Sequence, residues 1–162
     1  MTISVGDRLP AISVLRIGAN GPEAVDLGAK FSGRKVVIFG FPGAFTGVCM
    51  HAHVPSFIRT KAGFEAKGVD EVIGMSVNDP FVMDVFDEKT GSGKGGVTLL
   101  ADAESTFTTA IGMNFSAPPD GFVNRSERYA MYVEDGVVRV LHKEDSLGAC
   151  DISAGEALLA AI

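Results

Sequence analysis

Cys49, His51 and His53 place one nucleophile and two imidazoles close together in the chain. A cysteine thiolate is a strong nucleophile, and imidazole can act as a base or as a metal ligand. The segment from Pro42 to Cys49 leads from an apolar run into a helical pattern, which predicts Cys49 in or near the first turn of a helix. Free backbone N–H groups and the positive end of the helix dipole favour the thiolate there. The sequence therefore favours a reactive Cys49, although many free cysteines are only small buried apolar side chains.

Other kinds of site fit these residues less well. Cys49, His51 and His53 have the side-chain types of zinc ligands, but alternate residues share a face on a strand and not on a helix. A papain-like pair of Cys49 with one of the three histidines, His142 included, has no local signature around it. The chain has no Cys-x-x-Cys pair, and the glycine-rich loop at 91–96 lacks the Ser or Thr that follows the lysine of a phosphate-binding loop. We therefore expect no metal ion and no cofactor.

A buried strand and a helix would position Cys49. Residues 35–41 form a short apolar run that hardly alternates, which is typical of a strand covered on both faces. A Pro-Gly pair ends this strand, and a helical pattern continues through Lys67. Pro55 lies inside that pattern and cannot donate to the carbonyl four residues earlier, so we expect a kink or a restart of the helix there.

Strands and helices alternate through the rest of the chain. The further predicted strands are 12–17, 71–77, 97–100, 129–133 and 137–141. An Asp-Gly hairpin turn joins the last two. This order predicts a single α/β domain over residues 1–162 with a thioredoxin-like fold, in which helices flank a central mixed β-sheet and a hairpin extends the N-terminus.

Three further helices are predicted from end signals and apolar spacing. Asp79 and Pro80 are a helix cap and a first helical residue. The side chains expected to face inward from that helix are Phe81, Val82, Val85 and Phe86. A short helix follows at 104–111, and a Ser-x-x-Glu capping box at 153–156 predicts the start of the last helix.

Charge and hydropathy exclude several classes of protein. The chain carries 14 Lys and Arg against 20 Asp and Glu, a net charge of −6, whereas nucleic-acid and anionic-membrane binders are usually basic. Residues 36–58 have no charged side chain, but their prolines, glycines and histidines would be costly in a bilayer. We therefore expect no nucleic-acid or membrane partner. The first ten residues lack the apolar segment of a signal peptide, so we expect a cytoplasmic protein.

The spacing around Cys49 resembles a known active site. The pattern Pro42-x-x-x-Thr46-x-x-Cys49 is that of the peroxiredoxins. The longer segment resembles the type II or atypical two-cysteine branch, also called fifth-class peroxiredoxins, and it reads Pro42-Gly43-Ala44-Phe45-Thr46-x-x-Cys49-x-x-x-His53-Val54-Pro55. Two more segments are similar to that branch, Ser76-Val77-Asn78-Asp79-Pro80-Phe81-Val82-Met83 and Arg125-Ser126-x-Arg128-Tyr129. The resemblance runs from about residue 3 to the end of the chain.

The resemblance implies roles for the residues of these motifs. Cys49 would be the peroxidatic cysteine, and Thr46 would hydrogen-bond its thiolate and the peroxide. Pro42 would shape the pocket, and Arg128 would favour the thiolate and polarise the peroxide. His53 is similar to a family position near the pocket, where a structural role is the simpler interpretation. The substrate oxygens would be held by the backbone amides of Gly47, Val48 and Cys49.

The implied function is that of a thiol-dependent peroxidase. It would reduce hydrogen peroxide and alkyl hydroperoxides through a cysteine sulfenic acid, which glutathione with glutaredoxin, or thioredoxin, would reduce in turn. The resemblance also implies antioxidant defence, cell redox homeostasis and a homodimer. Apolar residues that could form the dimer surface are Phe45, Met113, Phe115 and Phe122. A non-enzymatic redox sensor or binding module on the same fold is the alternative.

Cys150 is a possible resolving cysteine. Animal members of the branch have a resolving cysteine near the last helix, and Cys150 lies in that region, about two residues earlier. Plant members have a second cysteine just before the Ser-Val-Asn-Asp-Pro segment, where this chain has Gly74. A buried strand cysteine is the favoured interpretation of Cys150, so the sequence favours a one-cysteine cycle with an external thiol and leaves the resolving role open.

Overall fold

The computed structural model describes residues 1–162, and its strands form two sheets. The strands are β1 (Ser13–Gly18), β2 (Gly21–Asp26), β3 (Lys35–Gly40), β4 (Glu71–Ser76), β5 (Val97–Ala101), β6 (Asn114–Ala117), β7 (Phe122–Ser126), β8 (Tyr129–Glu134) and β9 (Val137–Lys143). The large sheet has the order β2-β1-β5-β4-β3-β8-β9, and β6 pairs with β7 in a separate hairpin. The central strands β3, β4 and β5 are parallel, while β8, β9 and the N-terminal hairpin are antiparallel to their neighbours. The predicted thioredoxin-like α/β fold with a central mixed sheet is confirmed.

Both faces of β3 are buried, as its sequence predicts. Val36 and Ile38 belong to the apolar core on one side of the sheet. Val37 and Phe39 alternate with them and belong to a second core on the other side, which also contains Cys49. The absence of charge along this strand therefore reflects burial between two layers of helices and loops.

Five helices and two short helical turns accompany the sheet. They are α1 (Leu27–Phe31), α2 (Val54–Ala66), α3 (Pro80–Thr90), α4 (Thr106–Ala110) and α5 (Gly155–Ala160), with a π-helical turn at Cys49–His53 and a 3₁₀ turn at Pro118–Asp120. No helix has the length and apolar character needed to cross a membrane.

The irregularity expected at Pro55 takes the form of the π-helical turn. The N–H of Val54 donates to the carbonyl of Cys49, five residues earlier rather than four. Pro55 follows directly and has no N–H, so it cannot continue the ordinary hydrogen-bond ladder. The wider turn carries the chain from the Cys49 region into α2 and places His53 on the buried side.

The apolar stripe predicted for α3 is only partly right. Phe86 is buried, but Phe81 is 63% exposed and Val85 is 45% exposed. Met83 is buried instead and packs in the same core cluster as Phe86. The helix carries two pairs of apolar residues on different faces. Met83 and Phe86, which are three residues apart, face the sheet. Phe81 and Val85, which are four residues apart, face outward. The predicted start of α3 is correct, since the Asp79 side chain accepts from Val82 N.

The capping box predicted at the last helix is absent. The hydroxyl of Ser153 donates to Glu144, and the Glu156 carboxylate pairs with Arg59 at 2.8 Å. The helix begins at Gly155, whose N–H donates to the Ser56 hydroxyl of α2 at 2.9 Å. A neighbouring helix therefore supplies the cap that the local sequence was expected to supply.

Candidate active site

Cys49 lies at the beginning of the helical segment that follows β3. Its side chain is fully buried, and its backbone opens the π-helical turn. The N–H groups of Gly47, Val48 and Cys49 donate no hydrogen bond within the chain, whereas Met50 N already donates to Thr46 O at 2.9 Å. They are the free amides that the first turn of a helix leaves. They belong to Cys49 itself and to the two residues that precede it.

The loop between β3 and this helix is held by side chains from other elements. Asn78 Oδ1 accepts from Ala44 N at 3.0 Å and from the Ser76 hydroxyl at 2.7 Å. Arg125 Nη1 donates to the carbonyl of Pro42 at 3.2 Å. The conspicuous Ser-Val-Asn motif thus braces the active-site loop, a role that its local sequence did not reveal.

Thr46 contacts the loop rather than the sulfur in this structure. Its hydroxyl donates to the carbonyl of Gly43 at 2.8 Å, and no hydrogen bond joins it to Cys49 Sγ. The preceding residue, Phe45, has φ of 64°, a left-handed conformation that is costly for an aromatic residue. Its ring packs edge-on against Phe86 of α3, with centroids 5.1 Å apart, which compensates part of that cost.

Arg128 joins the cysteine to two other parts of the molecule. It directly precedes β8 and is 2% exposed. Its Nη2 group lies 3.2 Å from Cys49 Sγ and 3.1 Å from the carbonyl of Leu147, and its Nη1 group lies 3.1 Å from His53 Nδ1. A hydrogen bond from a charged donor is stronger in such a buried position than in water, because the surroundings screen the interaction poorly.

His53 is neutral and has one defined tautomer. Burial and the adjacent positive charge of Arg128 lower its pKa from 6.5 to about 3. Because a guanidinium only donates, Nδ1 must accept from Arg128, and Nε2 then carries the proton that is donated to Ser153 O at 3.0 Å. The ring packs edge-on against Phe39 and Phe57 at centroid distances of 5.2 and 5.5 Å. The sequence singled out His53 but not its link to Arg128.

A cavity of about 250 Å³ opens beside this group. Five of its lining residues were predicted for the reaction site, and they are Pro42, Thr46, Gly47, Val48 and Arg128. The other four were not predicted there, although Phe122 was suggested for the dimer surface, and they are Asp120, Phe122, Leu147 and Gly148. The structure therefore brings together the predicted residues and adds a mouth made by the hairpin of β6 and β7 and by the loop after β9.

The histidines near Cys49 do not form a metal site. His51 is exposed, while His53 is buried and both of its ring nitrogens are used by Arg128 and Ser153. No group of three or more His, Cys, Asp or Glu side chains has a metal-binding arrangement.

Both cysteines are free thiols. Cys150 is half-buried on the segment after β9, and burial raises the pKa of its thiol, with the nearby Arg128 charge acting in the opposite direction.

Gly74 occupies the position of the plant-type second cysteine. A Cβ at Gly74 would lie 2.5 Å from Cζ of Phe39 and 2.7 Å from Cδ2 of Leu99, so a larger residue would need the core to shift.

Comparisons with known proteins identify the family. The Redoxin family model matches residues 4–159. "Peroxiredoxin-2E-2, chloroplastic" of Oryza sativa subsp. japonica is 42% identical over 165 residues, covering 99% of this chain and 73% of that protein. "Peroxiredoxin-2C" of the same organism is 37% identical over 161 residues, covering 99% and 98%.

A solved structure gives the same result for the fold. Reduced Prx3 of Vibrio vulnificus, crystallised in complex with H₂O₂, superposes with a TM-score of 0.91 at 36% identity. The match covers 99% of this chain and 96% of that one. With a full-length family match, relatives named peroxiredoxin-2 and a shared fold, the chain belongs to the type II branch of the peroxiredoxins, which are thiol-dependent peroxidases.

Proposed function

We propose that this protein reduces hydrogen peroxide and small alkyl hydroperoxides at Cys49, with Arg128, Thr46 and Pro42 as the other residues of the reaction site. The single observation that carries the assignment is the 3.2 Å contact between Arg128 Nη2 and Cys49 Sγ beside an open cavity. Burial of a guanidinium beside a sulfur costs desolvation energy. A cysteine with a purely structural role does not require such a buried cation.

The reaction follows from this geometry. The Cys49 thiolate attacks the distal oxygen of ROOH, and an S–O bond forms as the O–O bond breaks. The distal oxygen keeps its hydrogen, and the RO⁻ group leaves and takes up a proton from water to become ROH. Cys49 becomes a sulfenic acid, the first step of cysteine oxidation. The charge that develops on the leaving oxygen needs nearby donors, and the free amides of Gly47 and Val48 and the Arg128 guanidinium are available at the cavity.

The mouth of the cavity supports small organic peroxides as substrates. Val48, Phe122 and Leu147 supply apolar side chains around the polar reaction site. A cavity of about 250 Å³ is small for a drug-sized ligand but large enough for a short alkyl group. The expected substrates are therefore hydrogen peroxide and hydroperoxides with short, compact alkyl groups.

An external thiol is the proposed reductant. Burial raises the pKa of Cys150, so little of it is thiolate at neutral pH, and attack on a sulfenic acid requires the thiolate. We therefore propose a one-cysteine cycle. Glutathione with glutaredoxin, or thioredoxin, supplies a first thiol that forms a mixed disulfide with Cys49 and releases water, and a second thiol that restores Cys49. Such turnover needs a reducing compartment, and the cytoplasm meets that need.

We also propose a homodimer. Phe45, Phe81 and Val85 expose 46%, 63% and 45% of their surfaces and form what we term the apolar patch. Phe45 lies in the active-site loop, and its contact with Phe86 joins that loop to α3, the helix that carries Phe81 and Val85. Of the dimer residues suggested by the sequence, Phe45 lies on the surface. The prediction for Met113 is wrong, because this residue is fully buried in the core and cannot contact a second copy.

A reductant panel on four proteins tests the function. Wild type, Cys49→Ser, Cys150→Ser and the double variant are supplied with hydrogen peroxide or tert-butyl hydroperoxide, and with glutathione plus glutaredoxin or with thioredoxin. Wild type and Cys150→Ser should turn over alike, and Cys49→Ser should be inactive. An intramolecular Cys49–Cys150 disulfide that forms faster than the sulfenic acid can be trapped would exclude the one-cysteine cycle. Oxidation of Cys49 without turnover by any reductant would favour a redox sensor instead.

A further inference from the structure

The segment 144–153, which we term the strap, returns from the end of β9 to the active site. Two of its carbonyls hold the groups around Cys49. Leu147 O accepts from Arg128 Nη2 at 3.1 Å, and Ser153 O accepts from His53 Nε2 at 3.0 Å. Since His53 in turn accepts from Arg128 Nη1, both ends of the guanidinium are positioned by the strap.

Glu144 closes the strap into a loop. One oxygen of its carboxylate, Oε1, accepts from Asp151 N at 2.7 Å, from Ser153 N at 2.9 Å and from the Ser153 hydroxyl at 2.8 Å. The residue is 6% exposed. Although burial acts to raise it, the pKa of Glu144 is lowered by these hydrogen bonds and by the charge of Arg128, so the carboxylate is ionised. Three donors on one anionic oxygen form a strong, geometrically defined closure.

The same residue is also fixed to the site at its backbone. Glu144 N donates to the carbonyl of Arg128 at 3.0 Å, directly beyond the pairing of β8 with β9. The strap therefore starts opposite Arg128, passes its side chain at Leu147 and returns to Glu144 at Asp151 and Ser153. Besides Glu144 and His53, one more side chain holds its far end, that of His142, whose Nδ1 lies 2.7 Å from Ile152 O.

We propose that Glu144 is a positioning residue for the reaction at Cys49, acting through the strap on Arg128 and His53. The proposal rests on the proposed function. Without the acceptor oxygen that Glu144 extends to Asp151 and Ser153, the strap loses the closure that sets the Leu147 and Ser153 carbonyls. The guanidinium then loses the acceptors that aim Nη2 at the sulfur, and a small displacement of such a group is enough to slow a reaction substantially.

The test separates reach from charge at position 144. Glu144→Asp keeps the charge but shortens the side chain, Glu144→Gln keeps the reach of an acceptor oxygen but removes the charge, and Glu144→Ala removes both. Asp145→Ala is the matched control, because Asp145 is the adjacent exposed carboxylate. All variants are made in a Cys150→Ser background, so that Cys49 is the only thiol.

Two readouts are recorded for each protein, the second-order rate of Cys49 oxidation by hydrogen peroxide and the pH profile of Cys49 alkylation by iodoacetamide. Glu144→Asp and Glu144→Ala should be slower by about 10- to 100-fold, with alkylation profiles moved to higher pH. Glu144→Gln should stay close to the background protein, and Asp145→Ala should match it.

Equal rates and profiles in the background, Glu144→Asp and Glu144→Ala proteins would overturn the positioning role. A slower oxidation rate in Glu144→Gln with an unchanged rate in Glu144→Asp would also overturn it. That result would mean that the charge at position 144 matters and the length of its side chain does not. Glu144→Asp keeps a buried anion with its donors nearby, so it remains informative if Glu144→Ala does not fold. A background protein that consumes no peroxide would instead contradict the proposed function, and the alkylation profiles would still report on the positioning.

Discussion

Arg128 Nη1 donates to His53 Nδ1 across 3.1 Å, and this bond requires a neutral histidine. Protonated His53 would present a second N–H to a guanidinium that has no acceptor to offer. The lowered pKa of His53, about 3, agrees with that requirement. The buried site beside Cys49 therefore contains a single positive charge, that of Arg128, with Nη2 against the sulfur.

Replacing Arg128 by lysine should nearly abolish peroxide reduction while leaving the fold intact. An ammonium keeps the charge but cannot donate in two fixed directions, to Cys49 Sγ and to His53 Nδ1. Loss of a directed donor to a developing charge typically slows a reaction by about 10²- to 10³-fold. Stopped-flow measurement of Cys49 oxidation gives the rate. Arg139→Ala, which removes an exposed arginine, is the control and should react like wild type.

His53 should make the stability of the protein depend on pH. Its pKa is 6.5 when unfolded and about 3 when folded, so the unfolded state binds the extra proton between these values. This contribution is fully present above about pH 6.5, and stability falls by about 1.4 kcal/mol per pH unit as the pH drops toward 3. Urea unfolding at several pH values between about 6.5 and 5 measures the slope, before most carboxylates titrate.

His53→Asn is the matched variant for that measurement. It removes the titrating ring but can still offer an amide oxygen to Arg128. The variant should be less stable near neutral pH, because the bond to Ser153 is lost, yet its stability should fall less steeply with acid. Parallel slopes for the two proteins would show that His53 does not titrate in this way.

The sequence predicts the parts of the site that depend on local pattern. The unalternated run at 35–41 indicates a strand buried on both faces, and the Pro-Gly turn places Cys49 at the start of a helix. Arg128 precedes an apolar strand, so its position at a sheet end could also be predicted. In each case a few neighbouring residues determine the result, since burial and helix ends leave periodic or capping signals.

The missed features depend on contacts between distant residues. Glu144 binds the backbone of Asp151 and Ser153, and a carboxylate that binds backbone N–H groups places no demand on the types of those residues. The same contact takes the Ser153 hydroxyl away from the predicted capping box. For α3 the sequence predicted a partly wrong face of the helix as buried. Phe81 and Met83 lie on different faces, both faces carry apolar residues, and only packing against the sheet decides which face is buried.

Gly74→Cys should destabilise the protein rather than create a plant-type second cysteine. The added side chain would meet the Phe39 ring and Leu99 in a filled core, and such overpacking typically costs about 1–3 kcal/mol. Urea unfolding measures the loss. Gly148→Ala is the control, because the nearest atom to its new Cβ is 3.9 Å away, and its stability should change little. If Gly74→Cys unfolds at the wild-type midpoint, the core around Phe39 is more adaptable than the packing indicates.

Charged residues in the apolar patch should separate the proposed dimer. Phe81→Glu and Val85→Glu each bury a charge if the patch lies in an interface, and each should raise the dimer dissociation constant by about tenfold or more. Both side chains are exposed in the monomer, so thermal stability of the separated chain should be preserved. Sedimentation equilibrium over a range of concentrations measures the dissociation constant.

Val5→Glu is the control for the patch variants, since Val5 is 60% exposed but lies in the N-terminal segment, outside the patch. A dimer that tolerates both patch charges but not Val5→Glu would move the interface to the N-terminal segment, and a wild-type protein that is monomeric throughout would contradict the dimer itself.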